Sequence, residues 1–323
     1  MKTVLPAHSI IRTRRLLPIL IVLGMLLASA LPSAVAGPFL PGEILIAQEG
    51  TNNIQRYSTS GTLLQTFSGT GTNFIGASLT PDGNLVTVYA LGSSNSSPSG
   101  INIFSPNGTQ ITTFTVPATV PAGDVSVFAN GTLAVCNHLN GSVQFWNQTG
   151  TLLKTISGLG SPWGSTIGSD GLLYVGDHDI GKITRINSSG TVIDSRFMSF
   201  TPGDLVMNPL DGTLWASGYA NGLVEHIRTT GSVISSFAAG LSGSFGGIGL
   251  APDDLSLYVT SKGSTVVNHF DLNGNLLDSF ALTSPNFPLF LTVVPNPTPE
   301  PGSATLLLGG LALLAARRRR AST

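Results

Sequence analysis

The chain has 323 residues, 41% of them hydrophobic and only 10% charged, and its 15 basic and 16 acidic residues leave a formal net charge of −1. That charged fraction is far below the ~25% usual in a globular protein, and Gly (39 residues), Ser, Thr and Asn fill the polar positions instead. A composition so poor in cations carries no footprint for nucleic acid, and the single cysteine, Cys136, excludes an internal disulfide framework.

At the start of the chain, Lys2, Arg12, Arg14 and Arg15 precede an apolar run from Leu16 to Leu31, and small residues lead on to Ala34-Val35-Ala36. A basic region, an apolar region and an A-x-A site in that order form a secretory signal peptide, residues 1–36, cut by signal peptidase before Gly37. Thr13-Arg14-Arg15-Leu16-Leu17 also partly matches a twin-arginine signal, so both export routes stay open. Without leader and tail, residues 37–298 hold seven basic and fifteen acidic residues, a net charge of −8 that repels nucleic acid and anionic lipid.

The body is a repeat. IQRYSTSGTLLQTF (from Ile54), INIFSPNGTQITTF (from Ile101), VQFWNQTGTLLKTI (from Val143), ITRINSSGTVIDSRF (from Ile183), VEHIRTTGSVISSF (from Val224) and VNHFDLNGNLLDSF (from Val267) share one pattern. Their turn glycines, Gly61, Gly108, Gly150, Gly190, Gly231 and Gly274, are 47, 42, 40, 41 and 43 residues apart. Two β-rich runs around a polar cluster ending in Gly make a hairpin, because Gly tolerates positive φ. A second hairpin precedes each later copy, with turns at Pro81-Asp82-Gly83, Asn130-Gly131, Asp170-Gly171, Asp211-Gly212 and Pro252-Asp253-Asp254. Four strands in ~42 residues is the size of one β-propeller blade. The first copy lacks its inner strand; Phe287 to Pro295 (FPLFLTVVP) supplies one beside Glu43 to Ala47. The expectation is an all-β, six-bladed propeller over residues 37–295, closed by a C-terminal strand and needing no helix.

The repeat resembles those of the NHL and gluconolactonase-like propellers, in the Pro-Asp-Gly turn, the Leu-Tyr-Val strand and the hairpin pattern V-x-x-F…G. The resemblance spans nearly the whole body and implies fold rather than activity. Gluconolactonase-like propellers use a Glu, Asn and Asp set at the channel, and no Glu here takes that place; the His and Glu pair of streptogramin lyase-type propellers has no match either.

Site candidates come from the geometry of a blade. Seven residues before each first turn stand Gly76, Asp124, Gly164, Asp204 (with one insertion) and Gly247, which are expected to ring the channel mouth. Asp124 and Asp204 are the carboxylates expected to point into it, and with backbone carbonyls they are the candidate Ca²⁺ ligands. Loops after the second strands add Glu49, His138, Asp177, His178, Asp179, Tyr219 and Lys262 to the same face. The alternative for Asp124 and Asp204 is a solvated or amide-capping role, and for Asp177 to Asp179 hydrogen bonds to their own loop. Cys136, inside TLAVC, reads as a buried small hydrophobe. Residues 90–100 form one enlarged rim loop, and the sequons at Asn107, Asn130, Asn140, Asn147 and Asn187 lie in turns whose composition produces them by chance.

The chain ends in TPEPGSATLLLGGLALLAARRRR (from Thr298), with apolar or small residues from Ala304 to Ala316 and then Arg317, Arg318, Arg319 and Arg320. Thirteen residues are short of the ~20 that span a bilayer as a helix, and the arginines would stay on the cytoplasmic side. Pro299-Glu300-Pro301, the short hydrophobic helix and the arginine cluster, residues 296–323, resemble the PEP-CTERM sorting signal. That resemblance implies an exosortase-type membrane protease as partner in a Gram-negative exopolysaccharide producer, and membrane attachment only until the tail is cut. Two function classes remain: a non-catalytic propeller in the envelope or extracellular matrix, binding polysaccharide or protein, and a propeller hydrolase or lyase using a divalent cation at the channel mouth.

Overall fold

All six turn glycines of the repeated hairpin have positive φ, between 73° and 96°, as a tight turn of this kind requires. The polar residues before them close the same turns: the Asn147 carboxamide oxygen accepts from the Thr149 and Thr151 amides (3.1 and 2.7 Å), and Asp271 does the same for Asn273 and Asn275 (2.9 and 2.8 Å). Asn107, Asn147 and Asn187 of the sequons are thus turn-forming side chains.

The structure, a computed structural model, describes residues 37–90, 99–116, 122–219, 221–241, 246–252, 255–283 and 288–296. Ala34 and Ala36 of the leader, most of the enlarged rim loop, Asp253-Asp254, Phe287, and the tail with Pro299, Glu300, Pro301 and Arg317 to Arg320 lie outside the described residues.

The described residues form six four-stranded antiparallel sheets, each running from an inner to an outer strand. Blade 1 is ordered Pro288–Val293, Ile44–Gln48, Asn53–Tyr57, Leu63–Ser68; blades 2 to 6 occupy residues 72–116, 125–157, 162–197, 202–238 and 248–281. The C-terminal strand supplies the missing inner strand as expected, pairing Val293 with Ile44 and Leu291 with Ile46. Among the described residues one short element departs from the all-strand expectation, a 3-10 turn at His138–Asn140 ended by Gly141 at φ 63°.

The core is six interlayers rather than one centre. Val86, Val88, Ile101 and Ile103 of blade 2 pack on Val125, Leu133, Val135 and Trp146 of blade 3, and the same arrangement recurs between each pair of neighbours. Second strands such as Leu133–Asn137 and Leu214–Gly218 are buried along their whole length because a blade covers each face. Cys136 sits there with no exposure, and burial pushes its thiol far above the ordinary range. Outer strands contrast: each opens on a bulge, formed by exposed aliphatic pairs such as Leu152-Leu153 and Leu276-Leu277.

Cross-strand stacks fix the later blades. His226 lies 4.1 Å from Trp215 and His269 lies 4.2 Å from Tyr258, rings nearly parallel, each imidazole also bonded to a hydroxyl, of Thr213 and Ser256 respectively. In blade 1, Arg56 makes a two-pronged pair with the buried Glu43 carboxylate (2.7 and 2.8 Å) and donates to the Gly37 and Pro38 carbonyls (2.7 and 2.9 Å), tying down the first described residues.

Candidate functional site

The ring read from the turns encircles the channel, with Phe290 of the closing strand as its sixth member. Small and large residues alternate: Gly76, Asp124, Gly164, Asp204, Gly247, Phe290. A Cβ at Gly76 would stand 2.6 Å from the Asp124 Cα, one at Gly164 2.6 Å from the Asp204 Cα, and one at Gly247 2.9 Å from the Phe290 Cα. Glycine at every second blade is what lets the inner strands meet.

The large residues brace the ring. Asp124 Oδ2 accepts from the Ser165 amide (2.9 Å) and hydroxyl (2.8 Å) of blade 4, and Asp204 Oδ2 accepts from the Ile248 amide of blade 6 (3.0 Å) while its Oδ1 accepts from the Leu205 amide (2.8 Å). In the third alternate blade the Thr292 hydroxyl donates to the Ala77 carbonyl at 2.6 Å. Both carboxyls are buried, 3% and 5% exposed. Burial pushes Asp124 up to about 7 against the opposing hydrogen bonds, and burial together with the Asp124 charge holds Asp204 well above the usual carboxylate range.

Toward the start of the inner strands the channel is plugged by Ile75, Trp163, Leu289 and Phe290, all buried, with the Trp163 and Phe290 rings 5.9 Å apart. Toward the strand ends it opens into a cavity of about 580 Å³. Asp124 and Asp204 line this cavity, Val127, Ile167, Met207 and Leu250 are among its apolar walls, and Leu210 and Leu255 belong to its lining from the first-hairpin turns.

The structure therefore divides the sequence candidates. Asp124 and Asp204 lie in the channel and face the cavity at the strand ends, while His138, His178 and Tyr219 gather at the plug, around Trp163. His138 meets the Trp163 ring at 4.6 Å, His178 at 5.6 Å, and Tyr219 stacks on His178 at 4.7 Å. The His178 Nδ1 lies 3.2 Å from the Ser161 carbonyl oxygen and its Nε2 3.1 Å from the Asp179 carboxylate. Asp177 holds its own loop, accepting from the amides of Ser161, Asp179 and Ile180 (3.1, 3.2 and 3.3 Å), and Glu49 pairs with Lys262 at 2.6 Å.

Calcium takes six to eight oxygen ligands. Asp124 and Asp204 contribute two carboxyls toward such a shell, and their oxygens already accept from four donors on Ser165, Leu205 and Ile248; among the described residues no three His, Cys, Asp or Glu side chains converge. The plug is what sequence reading missed. Trp163 directly precedes ring member Gly164, and Phe290 stands seven residues before position 297, the equivalent of Gly83, so the count that found the aspartates also reaches it.

No protein-family model matches this sequence, and no curated protein matches it. Among solved structures the chain is similar to a protein of unknown function from Bacteroides caccae, with a TM-score of 0.60 at 13% identity over 79% of this chain and 99% of that one. It is similar to a functionally unknown protein from Desulfotomaculum acetoxidans (0.60, 15% identity, 82% and 90% covered). A catalytically inactive virginiamycin B lyase from Staphylococcus aureus, solved with quinupristin, aligns at 0.57 and 17% identity over 78% of this chain and 87% of the lyase. Likeness at this identity is a likeness of fold.

Proposed function

We propose that this chain is an exported, exosortase-sorted β-propeller that acts as a non-catalytic binding module in the cell envelope or exopolysaccharide matrix. One observation carries the binding role: the channel is plugged at one end and open at the other, and the carboxyls in the open part are tied to neighbouring blades beside space that remains free. A cavity of about 580 Å³ with mostly apolar walls and few polar groups has the form of a small-molecule site.

Export and sorting rest on the two ends of the sequence. The leader pattern ends at Ala36, and the compact unit begins at Gly37, whose carbonyl accepts from Arg56, so cleavage there leaves the first blade's clamp whole. The order Pro299-Glu300-Pro301, apolar segment, arginine cluster supports a tail cut outside the membrane. Mass spectrometry of the secreted protein tests both cuts: the expected species starts at Gly37 and lacks Arg317 to Arg320, and secreted material that keeps those arginines contradicts sorting.

A second reading, a propeller lyase or hydrolase, draws on the lyase among the similar folds and on the His138, His178 and Asp179 group. Incubation with quinupristin and with simple lactones separates the two: unchanged compounds favour the binding module, and turnover lost on His178→Ala favours the enzyme.

A further inference from the structure

The cavity has a one-sided chemistry. Among the described lining residues the ionisable groups are the Asp124 and Asp204 carboxyls, with no Lys, Arg or His. The plug of Ile75, Trp163, Leu289 and Phe290 closes the site beyond them, so a ligand entering from the open end meets aliphatic walls first and carboxyls last. An anion finds no cationic group among the described lining residues, and a bare divalent cation finds mostly apolar walls around the two carboxyls. An ammonium group favours the ionised form of a carboxyl that burial otherwise keeps protonated, pairs with it and donates to its remaining lone pairs, while an apolar body fills the rest.

The mouth carries a second, independent sign. At the turn position where blades 2 to 5 place Gly83, Gly131, Gly171 and Gly212, all at positive φ, blade 6 holds Leu255 at φ 54°. Its amide donates to the Ala251 carbonyl at 3.1 Å, as that of Gly212 donates to the Asn208 carbonyl at 3.0 Å, so the two residues close their turns with the same hydrogen bond. Leucine is disfavoured in this conformation, yet it stands where the side chain adds an apolar wall to the cavity.

We propose that the open end of the channel binds a small organic monocation, with its ammonium group at Asp124 and Asp204 and its apolar body against the aliphatic walls and Leu255. The assignment rests on the binding-module reading and adds the ligand class to it.

The test is calorimetric titration of the purified protein with 2-phenylethylammonium, its neutral counterpart 2-phenylethanol, 3-phenylpropionate and calcium chloride, with the recovered ligands checked for chemical change. The expected result is one ammonium per chain, bound at least tenfold more tightly than the alcohol, with no binding of the carboxylate. Asp124→Asn with Asp204→Asn is expected to bring ammonium and alcohol within threefold of each other. Should that pair not fold, Asp124→Asn alone, which keeps an oxygen acceptor for Ser165, is expected to lose most of the preference. Leu255→Gly is expected to raise the melting temperature while weakening both ligands. Equal affinity for ammonium and alcohol in the parent protein overturns the cation assignment but leaves the binding module standing. So does an ammonium preference that survives in the folded variants. Stoichiometric calcium binding that displaces the amine, or no binding of any probe, also overturns the assignment, and a chemically altered ligand contradicts the binding-module reading itself.

Discussion

The two ends of the channel are built by the same six inner strands and differ because of what stands one residue apart on them. Toward the strand starts, Leu289, Ile75 and Trp163 of blades 1, 2 and 4, with Phe290, close the passage; Gly123, Gly203 and Gly246 stand at the same level in blades 3, 5 and 6, and a Cβ at Gly123 would stand 3.0 Å from the Trp163 carbonyl oxygen. Toward the strand ends, serines, medium aliphatics and two carboxyls leave about 580 Å³ open. The same ring that brings the strands together at its glycines carries polar braces at its large positions, so one end of a continuous channel is core and the other is a site.

The heaviest blow to this arrangement is loss of closure. Deleting 288–293 removes the inner strand of blade 1, two plug residues and part of the cavity wall, and exposes the edge of Ile44–Gln48. Loss of the cooperative melting transition is expected, whereas a chain ending at Asn296 is expected to melt within about 2 °C of the full one, a shift that corresponds to less than about 1 kcal/mol in a protein of this size. Equal melting of the two truncations contradicts closure by the C-terminal strand.

Within the intact ring, the comparison sharpens at single residues. Trp163→Ala empties the plug and is expected to cost about 3–5 kcal/mol in denaturant unfolding, while Val127→Ala in the open wall, where space already exists, is expected to cost about 1 kcal/mol. Gly164→Ala forces a Cβ to 2.3 Å from the Gly203 carbonyl oxygen, so a loss of about 2–3 kcal/mol is expected even though one methyl is added.

The braces predict a pH effect of unusual sign for carboxyls. Between the unfolded value of about 4 and the folded value of about 7 for Asp124, the folded protein holds more protons than the unfolded chain, so its contribution is fully present at low pH and is lost as pH rises through that window. Asp204, raised by burial and by its neighbour's charge, acts in the same direction. A slope of up to about 1.4 kcal/mol per pH unit for each of the two carboxyls is expected in the unfolding free energy from urea titrations, reduced by Asp124→Asn; a flat parent profile contradicts the burial. Leu255→Gly is the smallest change, a gain of about 1 kcal/mol from relieving a positive φ.

The ring was legible from the sequence because turn glycines index the blades: a fixed count from Gly83, Gly131 and Gly171 reaches Gly76, Asp124 and Gly164 without any knowledge of packing. The joining of Phe290 to that ring needs the closing strand to be placed first. Which end each candidate serves is set by strand direction and side-chain alternation, which a count along the chain does not contain, and so Asp124 and Asp204 were grouped with His138, Asp177, His178 and Asp179 that lie beyond the plug. His226 and His269 share the third position of the repeated hairpin, but only the pairing of their strands puts them on Trp215 and Tyr258.

The most direct measurement is a crystal structure of the mature protein soaked with 2-phenylethylammonium. The account predicts the Trp163 and Phe290 rings across one end of the channel, Asp124 and Asp204 still bonded to the Ser165 and Ile248 amides, and the amine in the open end with its nitrogen at the two carboxyls. A channel open from end to end, or carboxylates turned away from those amides onto a metal ion with a full oxygen shell, would contradict it.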